Sequence, residues 1–485
     1  MTKPADIVEN FGGNQRFRPA AYCMPLDEAG VLEILTRHRG EKIRAIGSLH
    51  SWSEAPVAEG VLVDLRNMNS VRVEQRNGGY WATVEAGCQI KRLLAELDRH
   101  GVTLPSLGLI TEQTVAGATA TGTHGSGKNS LSHYLAEVRI ATYDPQTGEA
   151  VIRTLQDGPD LRAARCSLGL LGIVVSVGLW CRPQYMIEEE FRLYPLLDEV
   201  LAAESEYPLQ QFYVLPWLWK YLAQHRREVN APRSRMAWLY RLYWYFGIDI
   251  GMHLVVLALV RVFGGAGAVQ FYFRRIGLKL AIRRWRVVDK SQAILVMEHE
   301  LFRHIEIELF VERPNLKASL DYVREIIETF AGNEDSLKPT TRERLREVGM
   351  LDDIMSAIGS YTHHYVICIR RVLPDDTLIS MASGTAEDWY AISLISYAKL
   401  NERAGVDRFS HFMAKSMARL FAARPHWGKV CPLDADELDS LYPKLPEFRA
   451  VCEAFDPNHV FRNAWTERVV FGTRGPSLRS DPTTP

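Results

Sequence analysis

The sequence predicts an α+β protein of two domains, and three observations carry that prediction. Through about residue 185, short strand-like runs alternate with amphipathic helical segments, the pattern of mixed α+β layers. Further on, HELFRHIEIELFVER at 299–313 alternates strictly, with Ile305, Ile307, Leu309 and Val311 on one face and His304, Glu306 and Glu308 on the other, the period of a strand. A chain of 485 residues is also too long for one hydrophobic core. We expect a first domain over 1–185, ending near Pro183, and a second over 186–485 built on a mostly antiparallel sheet.

Along the chain, EAGVLEILTRHRG at 28–40 places Val31, Leu32, Ile34 and Leu35 at helical spacing, with Gly40 as a C-terminal stop. IRAIGSLHSWS at 43–53 is a short apolar strand that ends in a Gly-Ser turn with His50 at its tip. VLVDLRNMNSVRVE alternates, and YWATVEAGCQIKRLLAELDRHG reads as strand, glycine turn and helix. TVAGATATGTHGSG at 114–127 interleaves glycine with Thr, Ser and Ala, so no large side chain keeps its backbone from a phosphate. SLGLLGIVVSV at 167–177 is a strand after a turn, SLDYVREIIETFAG an amphipathic helix, and YVICIRRVLPDDTLIS at 365–380 a strand and turn.

Composition narrows the function. The 57 Lys and Arg balance 58 Asp and Glu, so the total implies no nucleic acid. Seven scattered cysteines, without framework spacing, point to a reducing, cytoplasmic setting. The N-terminus has no apolar stretch of the secretory kind. GTHGSGKN at 122–129 imitates a phosphate-binding P-loop, but Asn129 stands where a Ser or Thr must hold magnesium, and a poor helix start follows. No metal site is expected, because the cysteines form no C-x-x-C pair and His363 and His364 are adjacent.

Residues 215–290 form an aromatic and basic insertion, from Trp217, Trp219 and Tyr221 through Trp238–Tyr245 to Arg274, Arg275, Lys279, Arg283, Arg284 and Arg286. Its uncharged runs, 250–260 and 262–273, are each shorter than the roughly 20 residues of a spanning helix. The composition suits either a segment lying in a membrane interface or a buried helical insertion with solvated arginines.

The pairing of G-S-x-H-S-x-S at 47–53 with V-A-G-A-x-x-T-G-T-H-G-S-G at 115–127 resembles the FAD-binding (PCMH-type) domain of the vanillyl-alcohol-oxidase superfamily. Within it, the chain is most similar to the aldonolactone and alditol oxidases, the group of D-arabinono-1,4-lactone oxidase and L-gulonolactone oxidase. RPHWGK at 424–429 matches that group's H-W-G-K motif, and FDPNHVFRN at 455–463 its closing D-P-x-x-x-F-x-N. The resemblance implies a two-subdomain FAD domain followed by a substrate-cap domain. It makes His50 the covalent anchor of the flavin and assigns the cofactor to Gly47, Ser48, Leu49, Ser51, Trp52, Ser53, Ala118, Gly122, Thr123, His124, Gly125, Gly172, Ile173, Val174 and His426.

It also implies oxidation of a CH–OH group of a sugar lactone or polyol, with electrons passed to oxygen. Arg370 and Lys429 would offset the negative charge that develops on the reduced flavin. The group's glutamate falls on Cys368, a weak hydrogen-bonding group. Either Glu306 or Glu308 supplies the carboxylate or the substrate hydroxyl is bound differently, and a solvated strand face is the alternative for both glutamates. Two further readings stay open: a dehydrogenase peripheral on the inner face of a membrane, with a quinone or cytochrome as acceptor, and a catalytically retired flavoprotein.

Overall fold

The computed structural model describes residues 6–261, 266–278, 282–297, 302–397 and 403–473. Near the N-terminus, Ala21–Cys23, Val61–Asp64 and Ile43–Ile46 form a parallel sheet with Val61–Asp64 in the middle. Parallel strands need a crossover, and helix Glu28–Arg37 supplies one. Asp27 starts it by accepting from the Gly30 N–H at 2.8 Å, and Val31, Ile34 and Leu35 are buried. The helix closes at Arg37, where the His38 N–H donates to Ile34, and Gly40 (φ 85°) turns the chain just beyond.

The other sheet of this region is antiparallel, in the order Ala150–Leu155, Leu135–Tyr143, Ile173–Pro183, Gly79–Glu85, Val71–Arg76, with Val102–Thr103 beside the end of Ile173–Pro183. Helix Ile90–Arg99 buries Ile90, Leu93, Leu94 and Leu97. The small residues at 115–120 wind into a short helix capped by Thr114. A single 3-10 turn, Leu131–Tyr134, and then strand Leu135–Tyr143 follow the loop that mimics a P-loop, in place of an α-helix.

The rest of the chain is an eight-stranded sheet in the order Val287–Lys290, Met186–Tyr194, Lys220–Val229, Gln211–Leu215, Ile367–Val372, Trp389–Ser396, Ile305–Glu312, Arg424–Pro425, antiparallel throughout. Strand alternation gives it two unlike faces. Ile305, Ile307, Leu309, Val311, Ile367, Ile369, Ile392 and Leu394 pack with helices Leu316–Phe330 and Ala404–Phe421 in one apolar core. The opposite face carries Glu306, Glu308, Cys368, Arg370 and Ser393 and looks onto the first half of the chain.

The insertion leaves this sheet after Lys220–Val229 and returns at Val287–Lys290, strands that lie on either side of Met186–Tyr194. Taken as separate uncharged runs, neither half reaches the length of a membrane span. The structure instead carries the helix on across Gly247 and Gly251, so that Ala237–Val260 is 24 residues long and holds an 18-residue stretch of mean hydropathy 1.6, enough by length and composition to cross a bilayer. Residues 262–265 and 279–281 of the insertion, and 299–301 before the Ile305–Glu312 strand, lie outside the described residues.

Candidate functional site

A cavity of about 620 Å³ lies between the turn at 44–56, the segment at 113–124, the turn at 167–174 and the polar face of the eight-stranded sheet. The two glycine-bearing motifs meet at its floor. A Cβ on Gly47 would come within 2.0 Å of Thr114 Oγ1, so only glycine lets the first turn reach the capped start of the second segment. Leu49 takes the left-handed conformation (φ 55°), and among the described residues the N–H groups of Ser48, Leu49 and Ser51 donate to no protein acceptor. Successive unspent N–H groups around a left-handed residue form an anion-binding concavity. This is the observation that fits a dinucleotide pyrophosphate.

Buried Arg44 fixes the cradle. Its guanidinium donates to the carbonyls of Ala55 (2.6 Å), Leu168 (2.8 Å), Gly169 (3.3 Å) and Phe461 (2.7 Å), tying both cradle turns to the C-terminal segment. Burial pulls its pKa down to about 10, so it stays charged at neutral pH. The closing D-P-x-x-x-F-x-N motif serves the same clamp. Asp456 accepts from the N–H groups of Val460 (2.7 Å) and Phe461 (2.8 Å), and Asn463 donates to the carbonyls of Glu54 and Val57, both at 2.9 Å.

The H-W-G-K motif forms a turn after strand Arg424–Pro425, closed by the Lys429 N–H donating to the His426 carbonyl at 2.9 Å. Trp427 points into the core and donates to the Ile379 carbonyl at 2.6 Å, whereas His426 and Lys429 face the cavity. Lys429 Nζ is paired with Glu306 and sits 4.0 Å from the centroid of Trp52, whose backbone N–H donates to the Gly428 carbonyl at 2.8 Å and whose indole N–H donates to the His304 carbonyl at 2.6 Å. Glu306 also accepts from Ser393. Beside this pair, Glu308 lies 3.6 Å from Arg370 Nη1 and 3.5 Å from His124 Nε2. Burial alone would raise the Glu308 carboxyl, but His124 and Lys429 hold it far below the usual carboxylate range. Burial pushes His426 down to about 3, so the ring is neutral; since its Nδ1 accepts from the Gly428 N–H at 2.9 Å, the proton is on Nε2. Burial raises the Cys368 thiol as well, which keeps it protonated.

Of the residues assigned from sequence, Gly47, Ser48, Leu49, His50, Ser51, Trp52, Thr123, His124, Gly172, Val174, Cys368, Arg370, His426 and Lys429 line the cavity. Ser53, Ala118, Gly122, Gly125 and Ile173 are not among its lining. In helix Val115–Ala120, Ala116 and Gly117 face the cavity and Ala118 turns into the core. In the strand from Ile173, Gly172 and Val174 face inward while Ile173 packs on Val460 and Phe461. A Cβ on Gly125 would meet the Leu107 carbonyl at 2.2 Å, a Cβ on Gly122 would meet Met381, and Ser53 sits behind Ser51 at 3.0 Å. His50 stacks on Phe11 at 4.9 Å, with Nε2 3.8 Å from Glu112. The choice left open for the two glutamates resolves against a solvated face: Glu306 is 5 % exposed and Glu308 2 %.

Sequence reading missed a polar chain on the same sheet face. Arg370 Nε donates to Gln211 (3.2 Å), Gln211 to Gln224 (2.6 Å) and Gln224 to Glu189 (2.8 Å), which also accepts from Arg226 and from Tyr240 of the insertion. The one sequence signal was Glu189 at period two between Ile187 and Phe191, and its meaning depends on strand pairing. His124, Glu308 and His426 also come close enough to ring a cation. The guanidinium of Arg370 already balances Glu308, and the proton on Nε2 of His426 denies that atom to a metal.

Residues 19–149 match an FAD binding domain family and residues 204–469 the D-arabinono-1,4-lactone oxidase family. The chain belongs to the D-arabinono-1,4-lactone oxidase family. It is 56 % identical over 462 residues to a long-chain alcohol oxidase of an uncultured marine euryarchaeote, covering 95 % of this chain and 96 % of that one. It is 27 % identical to an L-gulono-1,4-lactone dehydrogenase of Mycobacterium tuberculosis, with 96 % and 99 % covered, and 24 % identical to the L-gulonolactone oxidase of Bos taurus, with 93 % and 96 % covered. A crystal structure of cholesterol oxidase from Brevibacterium sterolicum shares the fold, at a TM-score of 0.71 and 15 % identity over 96 % of this chain and 97 % of that one. As a member of this family, the protein is an FAD-dependent oxidoreductase acting on CH–OH donors.

Proposed function

We propose that the protein oxidises the CH–OH group of a long-chain alcohol and passes the electrons to oxygen. The observation that carries this reading is the wall of the cavity opposite the cradle. There Phe191, Leu222, Tyr243, Trp244, Met252 and Val366 form an apolar and aromatic lining, much of it contributed by the insertion. Such a wall accepts a hydrocarbon tail through the burial of apolar surface, and the long-chain alcohol oxidase at 56 % identity supports it.

FAD, when bound, supplies the hydride acceptor. Ser48, Leu49 and Ser51 offer their N–H groups to its pyrophosphate, with Gly47 giving the necessary clearance. Arg370 and Lys429 hold positive charge at the edge of the cavity, where few waters screen it. Glu308, held far below the carboxylate range, is a poor base, which leaves Glu306 to take the hydroxyl proton with Ser393 donating to it. The thiol of Cys368 contributes little hydrogen bonding where the group's glutamate would grip a polyol.

Purified protein is expected to consume oxygen with alcohols, with kcat/KM rising as the chain lengthens from four carbons to about twelve, each buried methylene adding up to ~0.8 kcal/mol. Flat dependence on chain length, with turnover confined to aldonolactones, defeats the proposal. The second reading, a sugar lactone, is favoured by the buried polar cluster at Arg370, and the same assay decides it. Anaerobic reduction with no oxygen uptake in air points instead to a dehydrogenase. Covalent attachment at His50 is part of the proposal. Flavin fluorescence is expected to stay with the wild-type band on a denaturing gel and to be lost in His50→Ala; equal loss from both means a noncovalent flavin.

A further inference from the structure

The face of the insertion turned away from the cavity is built for a different medium. Among the described residues, six of the twelve large apolar side chains that are exposed lie in the insertion and outside the cavity lining: Met236, Trp238 (58 %), Phe246 (61 %), Leu254 (52 %), Phe271 (59 %) and Ile276. Scattered exposed apolar residues are ordinary, but their concentration in one element marks an interaction surface. Charge identifies the partner. From Arg233 to Arg286 the sequence holds ten basic residues against the single acidic Asp249, a local charge of +9 in a chain whose total is −1. Arg235, Arg275, Arg283 and Arg284 are exposed and make no ion pair among the described residues. Apolar and aromatic side chains fringed by arginine are the chemistry of an anionic lipid surface.

Topology decides how the contact is made. The helix Ala237–Val260 has the length of a span, yet the chain enters it from Lys220–Val229 and returns through Val287–Lys290, two strands separated by one strand of the same sheet. Helix His253–Arg261 packs on Ala266–Tyr272. Both ends of the insertion therefore stay on one side, and it meets a bilayer as a helical hairpin resting in one leaflet. The same hairpin turns Tyr240, Leu242, Tyr243, Trp244 and Met252 into the cavity.

We propose that this hairpin seats the enzyme on an anionic lipid surface and admits the alcohol from the bilayer directly into the cavity. The passage of substrate rests on the long-chain alcohol reading; the lipid contact does not. In flotation with vesicles of phosphatidylglycerol and phosphatidylcholine, the holoenzyme is expected to rise with the lipid, to stay behind with phosphatidylcholine alone, and to be released by salt. The variants R275Q/R283Q and W238S/F246S touch only the outer face. They are expected to lose vesicle binding, roughly fivefold per arginine removed, and to need correspondingly more of a long-chain alcohol presented in vesicles. Their kcat on a short, water-soluble alcohol should match wild type, which shows that they fold.

Equal binding to neutral and anionic vesicles, or none to either, overturns the contact. So does a dimer in lipid-free buffer that W238S/F246S disperses, since the face would then belong to a second copy. Resistance to alkaline carbonate extraction overturns the one-leaflet arrangement. Vesicle binding by a holoenzyme that turns over no long-chain alcohol overturns the substrate passage and the reading beneath it, whereas turnover of dissolved long-chain alcohol without vesicle binding overturns the contact alone.

Discussion

Arg370→Met lowers kcat by roughly 10²- to 10³-fold on any alcohol the enzyme turns over, the range seen when one preorganised group is removed from a site where charge develops. The guanidinium is held from two sides, by Glu308 at 3.6 Å and by Gln211 at 3.2 Å, so it is fixed before substrate arrives and needs no reorganisation during the reaction. Burial alone would lower its pKa, but the charges of Glu308 and Glu306 outweigh burial and raise it, which keeps the cation charged at every working pH. Removing it has a second consequence. Glu308 is left buried without its guanidinium, and a lone buried charge destabilises by several kcal/mol. The two effects separate in the double variant Arg370→Met with Glu308→Gln, which should recover thermal stability without recovering kcat. Steady-state oxygen uptake and melting curves on the three proteins supply the check. A single variant that keeps turnover within a few-fold of wild type shows that charge at this position is not used.

How far this site could be read in advance follows from the physics of each segment. Turn and glycine chemistry is local, so Gly47, His50 and the 115–127 segment could be recognised without coordinates, and the H-W-G-K and closing motifs likewise. Strand alternation correctly put Ile305, Ile307, Leu309 and Val311 on a face opposite Glu306 and Glu308. What alternation cannot tell is whether the polar face meets water or a second domain, since both satisfy the same pattern. The network from Arg370 through Gln211 and Gln224 to Glu189 crosses four strands, and only the register Gln211↔Arg370 and Gln211↔Gln224 makes it a chain. Ala118 and Ile173 show the limit in the other direction: a motif names a segment, but one-residue differences in orientation decide which of its members reach the cavity. The continuous helix over 237–260 was hidden by Gly247, Asp249 and Gly251, which break an uncharged run in sequence without breaking the backbone.

Acid is expected to unfold the protein well above the range where its carboxylates titrate, and buried histidines are the reason. Burial holds His363 and His426 near 3 and His364 near 4, against about 6.5 when unfolded. Each is also engaged as a neutral ring: His364 Nε2 accepts from the Tyr397 N–H at 2.8 Å, His426 Nδ1 from the Gly428 N–H, and His363 Nδ1 shares a 3.0 Å contact with the Tyr361 hydroxyl. Below pH 6.5 the unfolded chain takes up protons that the folded chain cannot, so their stabilisation is complete above that pH and is lost as pH falls towards 4. By pH 5 the loss is about 2 kcal/mol for each histidine, about 6 kcal/mol together, which rivals the whole stability of a typical domain. Thermal melts followed by flavin fluorescence should therefore show a steep fall in Tm between pH 7 and pH 5. His363→Phe, which keeps an aromatic ring in the core and removes one of four such proton sites, should flatten that fall by about a quarter. A Tm unchanged across this interval, or a variant with the wild-type slope, would show that these rings are not held neutral. Glu308 titrates too low to act in this window and Cys368 too high, whereas His225, which burial holds near 4, adds a fourth ring to the same slope.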